Sequence, residues 1–427
     1  MLGPRNLATS LTICVALGLM VGSPAAYAGG YPGMPPVVDP NNLYSETAAG
    51  HMSPATQGAL SRIYVPEHGD NSVTVIDPAT MKVVDKFKVG LRPQHIAPSW
   101  DLKTLWVTNN ADGGGAASLT PIDPLTGKPG KNVPLHDPYN MYFTPDGSAA
   151  IVVREAQRAL EFRDPHTLAS LYTIETPDCH GLNHADFSID GRYAIFSCEF
   201  IGAVTKVDLV DRKVLGTLTL SKQGSRADGA SMLPMEHAAK PGHGRRGQRR
   251  YQGSRSRIRH GSMSHGMPQD VRVSPDGKVF YVADMVSDGV YMIDGETLTE
   301  IGFIATGPGA HGFCVSRDAK RLFVANRGSH AMPTGFPNGN GGVTVIDFAT
   351  RSIVGQWPIP DGGSPDMGGV SADGKTLWFS GRFDSEVYAI DTTSGAVTKI
   401  PVGFEPHGLS VWPQPGRYSL GHTGNMR

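Results

Sequence analysis

The sequence lacks the short motifs that identify several common enzyme classes. It has no G-x-S-x-G elbow, no H-E-x-x-H, no C-x-x-C and no C-x-x-C-H, which argues against the usual serine-hydrolase, zinc-protease, disulfide-redox and c-type cytochrome interpretations. Charged residues are also scarce, at 18% of 427 residues, whereas glycine (53) and proline (33) are abundant. This composition predicts many turns, few long surface helices and an all-β chain. An enzyme assembled from distant segments is not excluded.

The first 28 residues predict an export signal. Arg5 precedes an apolar run over 11–21, and an A-x-A cleavage site follows at 26–28. The apolar run is shorter than the roughly 20 residues that a membrane-spanning helix needs. We therefore expect a periplasmic or secreted protein with no transmembrane segment in its mature form.

Only three cysteines remain after that signal. Cys179 and Cys198 flank a predicted hairpin whose turn is at 190–191, so the two side chains lie near each other across it if the hairpin forms. An oxidising compartment permits a disulfide between them, which is a hypothesis at this point. Cys314 would then be free.

Two signatures recur along the chain. The first is a tight turn between two apolar runs, spelled TPDG at 144, SIDG at 188, SPDG at 274 and SADG at 371, with the looser SWDL at 99 and SRDA at 316. The second is an apolar strand that ends in an aspartate, followed by a turn. These aspartates are Asp77, Asp123, Asp164, Asp208, Asp294, Asp347 and Asp391. We expect them to shape turns, because short polar side chains bond the backbone two or three residues on.

The repeat spacing predicts a β-propeller. Successive aspartates are 41 to 46 residues apart, except for intervals of 86 and 53, and a four-stranded unit of this length is a propeller blade. Residues 222–264 contain neither signature, so we interpret them as an insertion between blades 4 and 5. The first unit lacks its inner strand, and HGLSVW near the C-terminus supplies one. We predict a seven-bladed β-propeller over 62–413, closed by the C-terminal strand joining the first blade.

Two further segments complete the predicted organisation. A Pro/Gly-rich arm over 29–61 precedes the propeller, and a tail over 414–427 follows it. The units RIYVPEHGDNSVTVIDPAT, RLFVANRG with GGVTVIDFAT, and VFYVADMVSDGVYMIDGET resemble the YVTN-repeat, or YncE-like, family of seven-bladed β-propellers. The resemblance covers residues 62 to about 413 and implies the fold. It does not imply one function, because propellers include binders, enzymes and scaffolds.

The first strand of each blade is expected to line the channel and to begin at its mouth. Five positions before the turn residue, the seven blades carry Gln94, Tyr139, Asn183, Gln269, His311, Asp366 and His407. Four positions before it, they carry His95, Asn140, His184, Asp270, Gly312, Met367 and Gly408. His95, His184, His311 and His407 are therefore candidate metal ligands. Adjacent strand positions point to opposite faces, so their convergence requires a bend at the strand start.

Two insertions are expected to open onto the same mouth and to cap it. The longer one, 222–264, is rich in Met, His and Arg, and the shorter one spans 328–342. Met263, His265 and Met267, at the end of the longer one, are weaker candidate ligands. Mixed imidazole and thioether donors suit copper better than calcium or magnesium. The arginine run is interpreted as a solvated loop, with binding of a polyanion as the alternative.

These observations favour an exported binding protein for a small ligand or a metal ion, with copper suspected, at a histidine-lined channel mouth. The alternative is a copper-dependent periplasmic oxidoreductase, in which the four histidines hold copper and the catalytic candidates Asp366 and Asp270 handle protons. Copper-dependent thiocyanate dehydrogenases and the nitrous oxide reductase propeller resemble this arrangement in placing histidines at a propeller's centre. A second alternative is a scaffold for a protein or, as DNA binding within the wider YncE-like family suggests, a nucleic acid. Nucleic acid is the least favoured partner for an exported protein.

Overall fold

A ring of seven antiparallel sheets surrounds a central channel in the computed structural model, which describes residues 30–221, 266–328 and 340–415. Each sheet has four strands, and the second carries one further short strand. The helical segments within these ranges are three short 3₁₀ turns: Pro54–Thr56, Ala111–Gly113 and Glu199–Ile201. The predicted all-β, seven-bladed propeller is confirmed.

The strands are numbered in chain order. Blade 1 contains β1 (Arg62–Glu67), β2 (Ser72–Asp77) and β3 (Lys82–Lys88). Blade 2 contains β4 (Pro93–Pro98), β5 (Leu105–Asn109), β6 (Ser118–Asp123), β7 (Lys128–Pro129) and β8 (Val133–Pro134). Blade 3 contains β9 (Pro138–Phe143), β10 (Ala150–Arg154), β11 (Ala159–Arg163) and β12 (Ser170–Glu175). Blade 4 contains β13 (Leu182–Phe187), β14 (Tyr193–Cys198), β15 (Ala203–Asp208) and β16 (Lys213–Thr219).

The remaining blades follow the same order. Blade 5 contains β17 (Pro268–Val273), β18 (Val279–Asp284), β19 (Gly289–Asp294) and β20 (Thr299–Ala305). Blade 6 contains β21 (Ala310–Val315), β22 (Arg321–Asn326), β23 (Gly342–Asp347) and β24 (Ser352–Pro358). Blade 7 contains β25 (Pro365–Val370), β26 (Thr376–Gly381), β27 (Glu386–Asp391) and β28 (Val397–Pro401). The last strand, β29 (Ser410–Trp412), belongs to blade 1.

Burial changes from the channel outward within each blade. Every residue of the inner strands β13 and β21 is buried, because the channel lies on one side and neighbouring blades cover the faces. Along the outer strand β16, residues alternate between exposed and partly buried. This is the pattern of a strand with one face packed and one face in water. The functional side chains of the inner strands are therefore held in a close-packed environment.

The ring closes by pairing the two ends of the propeller. β29 pairs with β1 in antiparallel register, with Ile63 opposite Val411 and Tyr64 opposite Ser410. The pairing completes the fourth strand of blade 1 and removes a sheet edge that would otherwise be exposed. The predicted closure by the C-terminal strand is confirmed.

The recurring turn residues have the predicted structural role. Oδ1 of Asp164 accepts hydrogen bonds from the backbone N–H groups of His166 (3.0 Å) and Thr167 (2.7 Å). In the other signature, the Ser188 hydroxyl donates to Oδ1 of Asp190 at 2.7 Å. These aspartates therefore stabilise turns.

One segment of blade 7 matches a phosphate-binding motif in sequence but not in structure. GVSADGKT at 369–376 has the letters of a phosphate-binding P-loop. It lies instead on the hairpin between β25 and β26, where Gly374 has a φ of 76° in the Asp-Gly turn. A P-loop needs a helix after the glycines, whereas a strand follows here, so the string is not a nucleotide site.

A disulfide joins Cys179 and Cys198, as hypothesised, with an S–S distance of 2.00 Å. Cys179 precedes β13 and Cys198 ends β14, and both residues are buried. The bond therefore links the entry of the inner strand to the end of its neighbour. Cys314 is a buried free thiol.

The N-terminal arm packs against the face that carries the Asp-Gly turns. The backbone N–H of Leu43 donates to the Pro275 carbonyl at 2.8 Å, and the Tyr44 hydroxyl donates to the Val273 carbonyl at 2.9 Å. Leu43 and Tyr44 are each 2% exposed. The arm thus covers part of one face, while the inner strands begin at the opposite face, which we call the mouth. Within the described ranges, no helix has the length and apolar character to cross a bilayer.

Candidate functional site at the channel mouth

The inner strands enter the mouth with an irregular register. In blade 4 the pairing of β13 with β14 shifts between Leu182 and Ala185, and in blade 2 the same shift occurs between Pro93 and Ile96. Blades 5, 6 and 7 show it at the equivalent place. Residues within such an irregularity leave the regular ladder and are released from strict alternation. Both candidate histidine positions fall within it.

The structure brings the four predicted histidines into one row. The ring centroids are 4.7 Å apart for His95 and His184, 4.8 Å apart for His95 and His407, and 6.1 Å apart for His311 and His407. All four residues are at most 3% exposed. Tyr139 packs edge-on against His95, with the ring centroids 5.2 Å apart. The bend that convergence requires is present, and the metal role of these residues stays a prediction.

Asp366 is the charged centre beneath two of these rings. Its Oδ1 lies 2.9 Å from Nδ1 of His311, and its Oδ2 lies 2.5 Å from Nδ1 of His407. Arg327 donates to Oδ1 through Nε at 2.8 Å and through Nη2 at 2.5 Å. Burial alone would raise the pKa of Asp366, but Arg327 and the two histidines hold that pKa well below its usual range. Asp366 is therefore a carboxylate that pairs with Arg327 and is hydrogen-bonded to His407, while Nδ1 of His311 lies close to it without hydrogen-bond geometry.

The two imidazoles beside Asp366 are neutral at pH 7. Burial, reinforced by the nearby Arg327 charge, lowers the pKa of His311 to about 4 despite Asp366. Burial and the Arg382 charge likewise place the pKa of His407 well below its usual value. Since Nδ1–H of His407 donates to the carboxylate, its Nε2 carries the lone pair. A carboxylate behind an imidazole is the usual support for a metal-binding histidine.

His184 is in the opposite tautomer. Oδ1 of Asn140 accepts from the Met141 backbone N–H at 2.8 Å, which fixes the orientation of the amide. Nδ2 of Asn140 then donates to Nδ1 of His184 at 3.1 Å. Nδ1 of His184 is therefore an acceptor, which places the ring proton on Nε2.

The other catalytic candidate, Asp270, connects two neighbouring blades. Its Oδ2 accepts from the Phe313 backbone N–H of blade 6 at 2.9 Å, and the Arg272 guanidinium lies 3.8 Å from Oδ1. Burial raises the pKa of Asp270 to about 6, against the lowering effect of Arg272. Asp186 bonds the Val273 backbone N–H in the same way at 2.9 Å. These contacts give Asp270 a structural role, and its catalytic role stays a prediction.

Of the three weaker candidate ligands from the long insertion, only Met267 lies within the described residues. Met267 is buried, and its carbonyl accepts the Met285 backbone N–H at 3.0 Å. Met263 and His265 lie outside the described residues, as do most of both insertions. The long insertion joins β16 to β17, whose first residues lie at the mouth. The predicted capping of the mouth falls outside the described residues.

A second ring of residues at the mouth was not identified from the sequence. It consists of the residue that immediately follows the second strand of each blade: His68, Asn110, Glu155, Glu199, Met285, Arg327 and Arg382. All except Met285 line a pocket of about 400 Å³, which we call the mouth pocket. Met285 instead contacts another residue of this second ring, because its Sδ lies 3.5 Å from Nη1 of Arg327. Counting from the end of each second strand, and not from the turn serine, would have revealed this ring.

Arg382 differs from Arg327 in its partners. It is only 7% exposed, yet neither its Nε nor its Nη1 has a hydrogen-bond partner in the part of the chain that the structure describes. Arg327, by contrast, donates twice to Asp366. Buried donors are almost always paired in folded proteins. Arg382 therefore marks the polar centre of the mouth pocket.

Two carboxyl groups line the same pocket. Glu199 accepts from Nδ2 of Asn183 at 2.6 Å. Burial raises the pKa of Glu199, with Gln269, Arg327 and Asn183 opposing the shift. Burial also raises the pKa of Glu155 well above its usual value, and the nearby Glu199 carboxylate adds to the effect. The pocket thus contains two acids whose pKa values burial raises and an arginine with two nitrogen atoms that have no hydrogen-bond partner among the described residues.

The histidine row is packed more like a cluster of aromatic rings than like a metal site. Across residues 30–221, 266–328 and 340–415, no three or more His, Cys, Asp or Glu side chains are arranged ready to hold a metal ion. Ring centroids 4.7 to 6.1 Å apart describe packed imidazoles. Metal binding by this row therefore requires side-chain rotation.

The repeat sequence and this fold agree with one family. Residues 252–415 match the family model described as "YNCE-like beta-propeller". This segment is therefore similar to YNCE-like β-propellers. The predicted resemblance is thus confirmed, by a direct match in the C-terminal blades and by the seven-bladed ring over the whole propeller. No curated protein matches the sequence.

Solved structures share the propeller architecture of this chain at low sequence identity. Hydrazine synthase of Kuenenia stuttgartiensis is 17% identical, with a TM-score of 0.53 over 76% of this chain and 90% of that one. A dihydro-heme d1 dehydrogenase in complex with DHE is 15% identical, with a TM-score of 0.55 over 84% and 76%. A putative 6-phosphogluconolactonase of Bacteroides uniformis is 16% identical, with a TM-score of 0.56 over 83% and 99%. At this identity the likeness shows the fold alone.

Proposed function

We propose that this protein is an exported propeller that binds a small ligand in the mouth pocket. The observation that carries the proposal is Arg382, a buried guanidinium with two nitrogen atoms that have no hydrogen-bond partner among the described residues. Leaving buried donors unpaired costs free energy, and a ligand that accepts from them recovers it. Export rests on the sequence of the first 28 residues.

The shape and lining of the mouth pocket support the same proposal. Its volume of about 400 Å³ lies within the range typical of small-molecule sites, roughly 300 to 1,000 Å³. Its polar groups come from several blades, including Gln94, Asn110 and Gln269. Because each is held on or beside a buried inner or second strand, the pocket is largely preorganised.

A steric block tests the proposal. Ala156 lies at the exposed rim of the mouth pocket, so Ala156→Trp fills the entrance. Ala79→Trp is the matched control, because Ala79 is exposed in the β2–β3 turn, at the other face of the ring. Ligand-observed NMR with a library of polar metabolites should find compounds that bind wild type and Ala79→Trp but not Ala156→Trp. If every compound found binds all three proteins equally, the mouth pocket is not the site.

Copper binding is a second candidate, favoured by the Asp366 contacts. His311 and His407 both have Nδ1 near this carboxylate. The hydrogen bond of His407 to Asp366 directs its Nε2 away from the carboxylate and raises its basicity as a ligand. Imidazole ligands suit copper, which also heads the divalent affinity order. A copper-dependent oxidoreductase would use these residues, with His95 and His184, and bound copper would supply one-electron chemistry.

Metal analysis tests the copper candidate. Protein purified without a polyhistidine tag should retain copper through dialysis and show an electron paramagnetic resonance signal with imidazole-nitrogen couplings. The paired substitutions His311→Ala and His407→Ala should abolish the signal. The control pair, His51→Ala and His166→Ala, alters exposed imidazoles and should leave it unchanged. Absence of retained copper in wild type would reject this candidate without affecting the small-ligand proposal.

A further inference from the structure

The second ring at the mouth has its charges separated by blade. Blades 3 and 4 contribute Glu155 and Glu199, whereas blades 6 and 7 contribute Arg327 and Arg382. In a ring of seven blades, blade 3 is three places from both blade 6 and blade 7, and blade 4 is three places from blade 7. The acids and the arginines therefore face each other across the mouth pocket.

The basic side has one guanidinium available to an anion. Arg327 is committed to Asp366 through two hydrogen bonds of 2.8 and 2.5 Å. Arg382 is equally enclosed, but Nε and Nη1 have no hydrogen-bond partner among the described residues. A carboxylate or phosphate has the planar or tetrahedral oxygen pairs that such a guanidinium binds most strongly.

The acidic side is suited to a cation. Both side chains line the mouth pocket, and the charge of Glu199 makes ionisation of Glu155 less favourable. Glu199 is held in place by the 2.6 Å hydrogen bond from Asn183. An ammonium group between two carboxylates removes their repulsion and allows both to be ionised. The cation therefore gains two charge-assisted hydrogen bonds in a partly desolvated site.

We propose that the ligand of the mouth pocket is a small zwitterion, with its anionic group on Arg382 and its ammonium group facing Glu155 and Glu199. This inference rests on the proposed function, since it names the ligand class for the same pocket. A simple anion would bring no cation to the two carboxyl groups, and a simple cation would bring no acceptor to Nε and Nη1 of Arg382. Only a molecule with two opposite charges on separate atoms satisfies both sides.

A set of four probes of equal length tests the charge requirement. We would use 6-aminohexanoate, hexanoate, hexylamine and hexanol, which share one six-carbon chain and differ only in their end groups. Isothermal titration calorimetry should give an affinity for the zwitterion at least about tenfold above that of either singly charged probe, since each charged contact contributes about 1.4 kcal/mol or more. Shorter and longer ω-amino acids, of four and eight carbons, define the spacing.

Variants separate the two ends of the ligand. Arg382→Gln should reduce affinity for 6-aminohexanoate and hexanoate at least about tenfold, and leave hexylamine unchanged. Glu155→Gln with Glu199→Gln should reduce affinity for 6-aminohexanoate and hexylamine, and leave hexanoate unchanged. Arg351→Gln, at an exposed arginine in an outer turn, is the control. If Arg382→Gln does not fold, Arg382→Lys, which retains the charge but loses the planar fork, should weaken carboxylate binding in the same direction.

Proton release gives an independent readout. Because the pKa values of Glu155 and Glu199 are raised, binding of an ammonium group should displace protons, and the measured enthalpy should depend on the ionisation enthalpy of the buffer. Equal binding of hexanoate and 6-aminohexanoate, or no binding of any probe at about 10 mM, would overturn the zwitterion inference. The proposed function would fail separately, only if the Ala156→Trp screen found no compound whose binding is blocked at the mouth.

Discussion

Nδ1 of His407 lies 2.5 Å from Oδ2 of Asp366, and neither residue is more than 3% exposed. The two come from different blades: Asp366 is on β25 of blade 7, and His407 precedes β29 of blade 1. This contact therefore joins the blade made by the chain's two ends to its neighbour. The same carboxylate pairs with Arg327 of blade 6, so one side chain connects three blades at the mouth.

Removal of the Asp366 charge should destabilise the protein. Asp366→Asn leaves the Arg327 guanidinium buried without its counter-ion, and loss of one partner of a buried pair costs about 3 to 5 kcal/mol. The midpoint of urea unfolding should fall accordingly. Asp391→Asn is the control, because Asp391 is an exposed turn residue, and it should cost about 1 kcal/mol or less. Equal losses in the two variants would contradict the central role of Asp366.

Stability should depend on pH through His311. Its pKa is lowered to about 4 in the folded protein, from about 6.5 in the unfolded chain. Between these values the unfolded state binds the proton and the native state does not, so the free energy of unfolding falls as pH falls from 6.5 to 4. The shift corresponds to at most about 3.4 kcal/mol.

The substitution His311→Gln isolates this contribution. Asp270 has a pKa raised to about 6 and acts in the opposite direction, but it is present in both proteins and cancels in their difference. Urea unfolding of wild type and variant at a series of pH values should therefore show curves that converge between pH 7 and pH 4. Parallel curves would mean that His311 ionises with an unperturbed pKa.

Arg272 should be coupled to the carboxylate that bridges blades 5 and 6. It is 1% exposed and lies between Asp186 (3.6 Å) and Asp270 (3.8 Å). Arg272→Met leaves two buried carboxylates without a cation and should cost about 3 to 5 kcal/mol. Adding Asp270→Asn removes one of those charges, so the double variant should lose less than the sum of the single variants. Strict additivity, measured by urea unfolding, would contradict the coupling.

The disulfide should stabilise blade 4 and its contacts. Cys179 and Cys198 are 19 residues apart, and a crosslink over a loop of that length restricts the unfolded chain by about 3 kcal/mol. Replacement of both cysteines by alanine should lower the free energy of unfolding by that amount. Cys314→Ala removes a buried free thiol and serves as the control. A non-reduced peptide map without the Cys179–Cys198 crosslink would contradict the bond itself.

The candidate site could be predicted in part. His95, His184, His311 and His407 were identifiable because the turn serine fixes the position of each inner strand. Their convergence was not, because regular alternation would send His184 and His311 to opposite faces. The register shift at the strand start decides this, and it depends on pairing with the second strand. The partners of Asp270 and Asp366 were equally hidden, since both carboxylates bond atoms of other blades.

Arg382 shows most directly what could not be predicted from the sequence alone. Its place after β26 is readable from the sequence, as is that of Glu155 after β10, but neither residue is unusual in a linear reading. Charged residues after strands are usually solvated. Burial by neighbouring blades leaves Nε and Nη1 of Arg382 without a hydrogen-bond partner among the described residues, and it raises the pKa of Glu155.

Local repetition by itself determined the fold of this protein: alternating apolar strands, Asp-Gly turns and a unit of 41 to 46 residues specify blades, and the missing inner strand of the first blade specifies closure by the last. These are short-range properties, encoded within each unit. The tertiary structure alone decided which side chains meet at the mouth, which of them lose water and which charges stay uncompensated. Those properties arise between blades, where residues hundreds of positions apart share a low-dielectric space, and no single unit contains them.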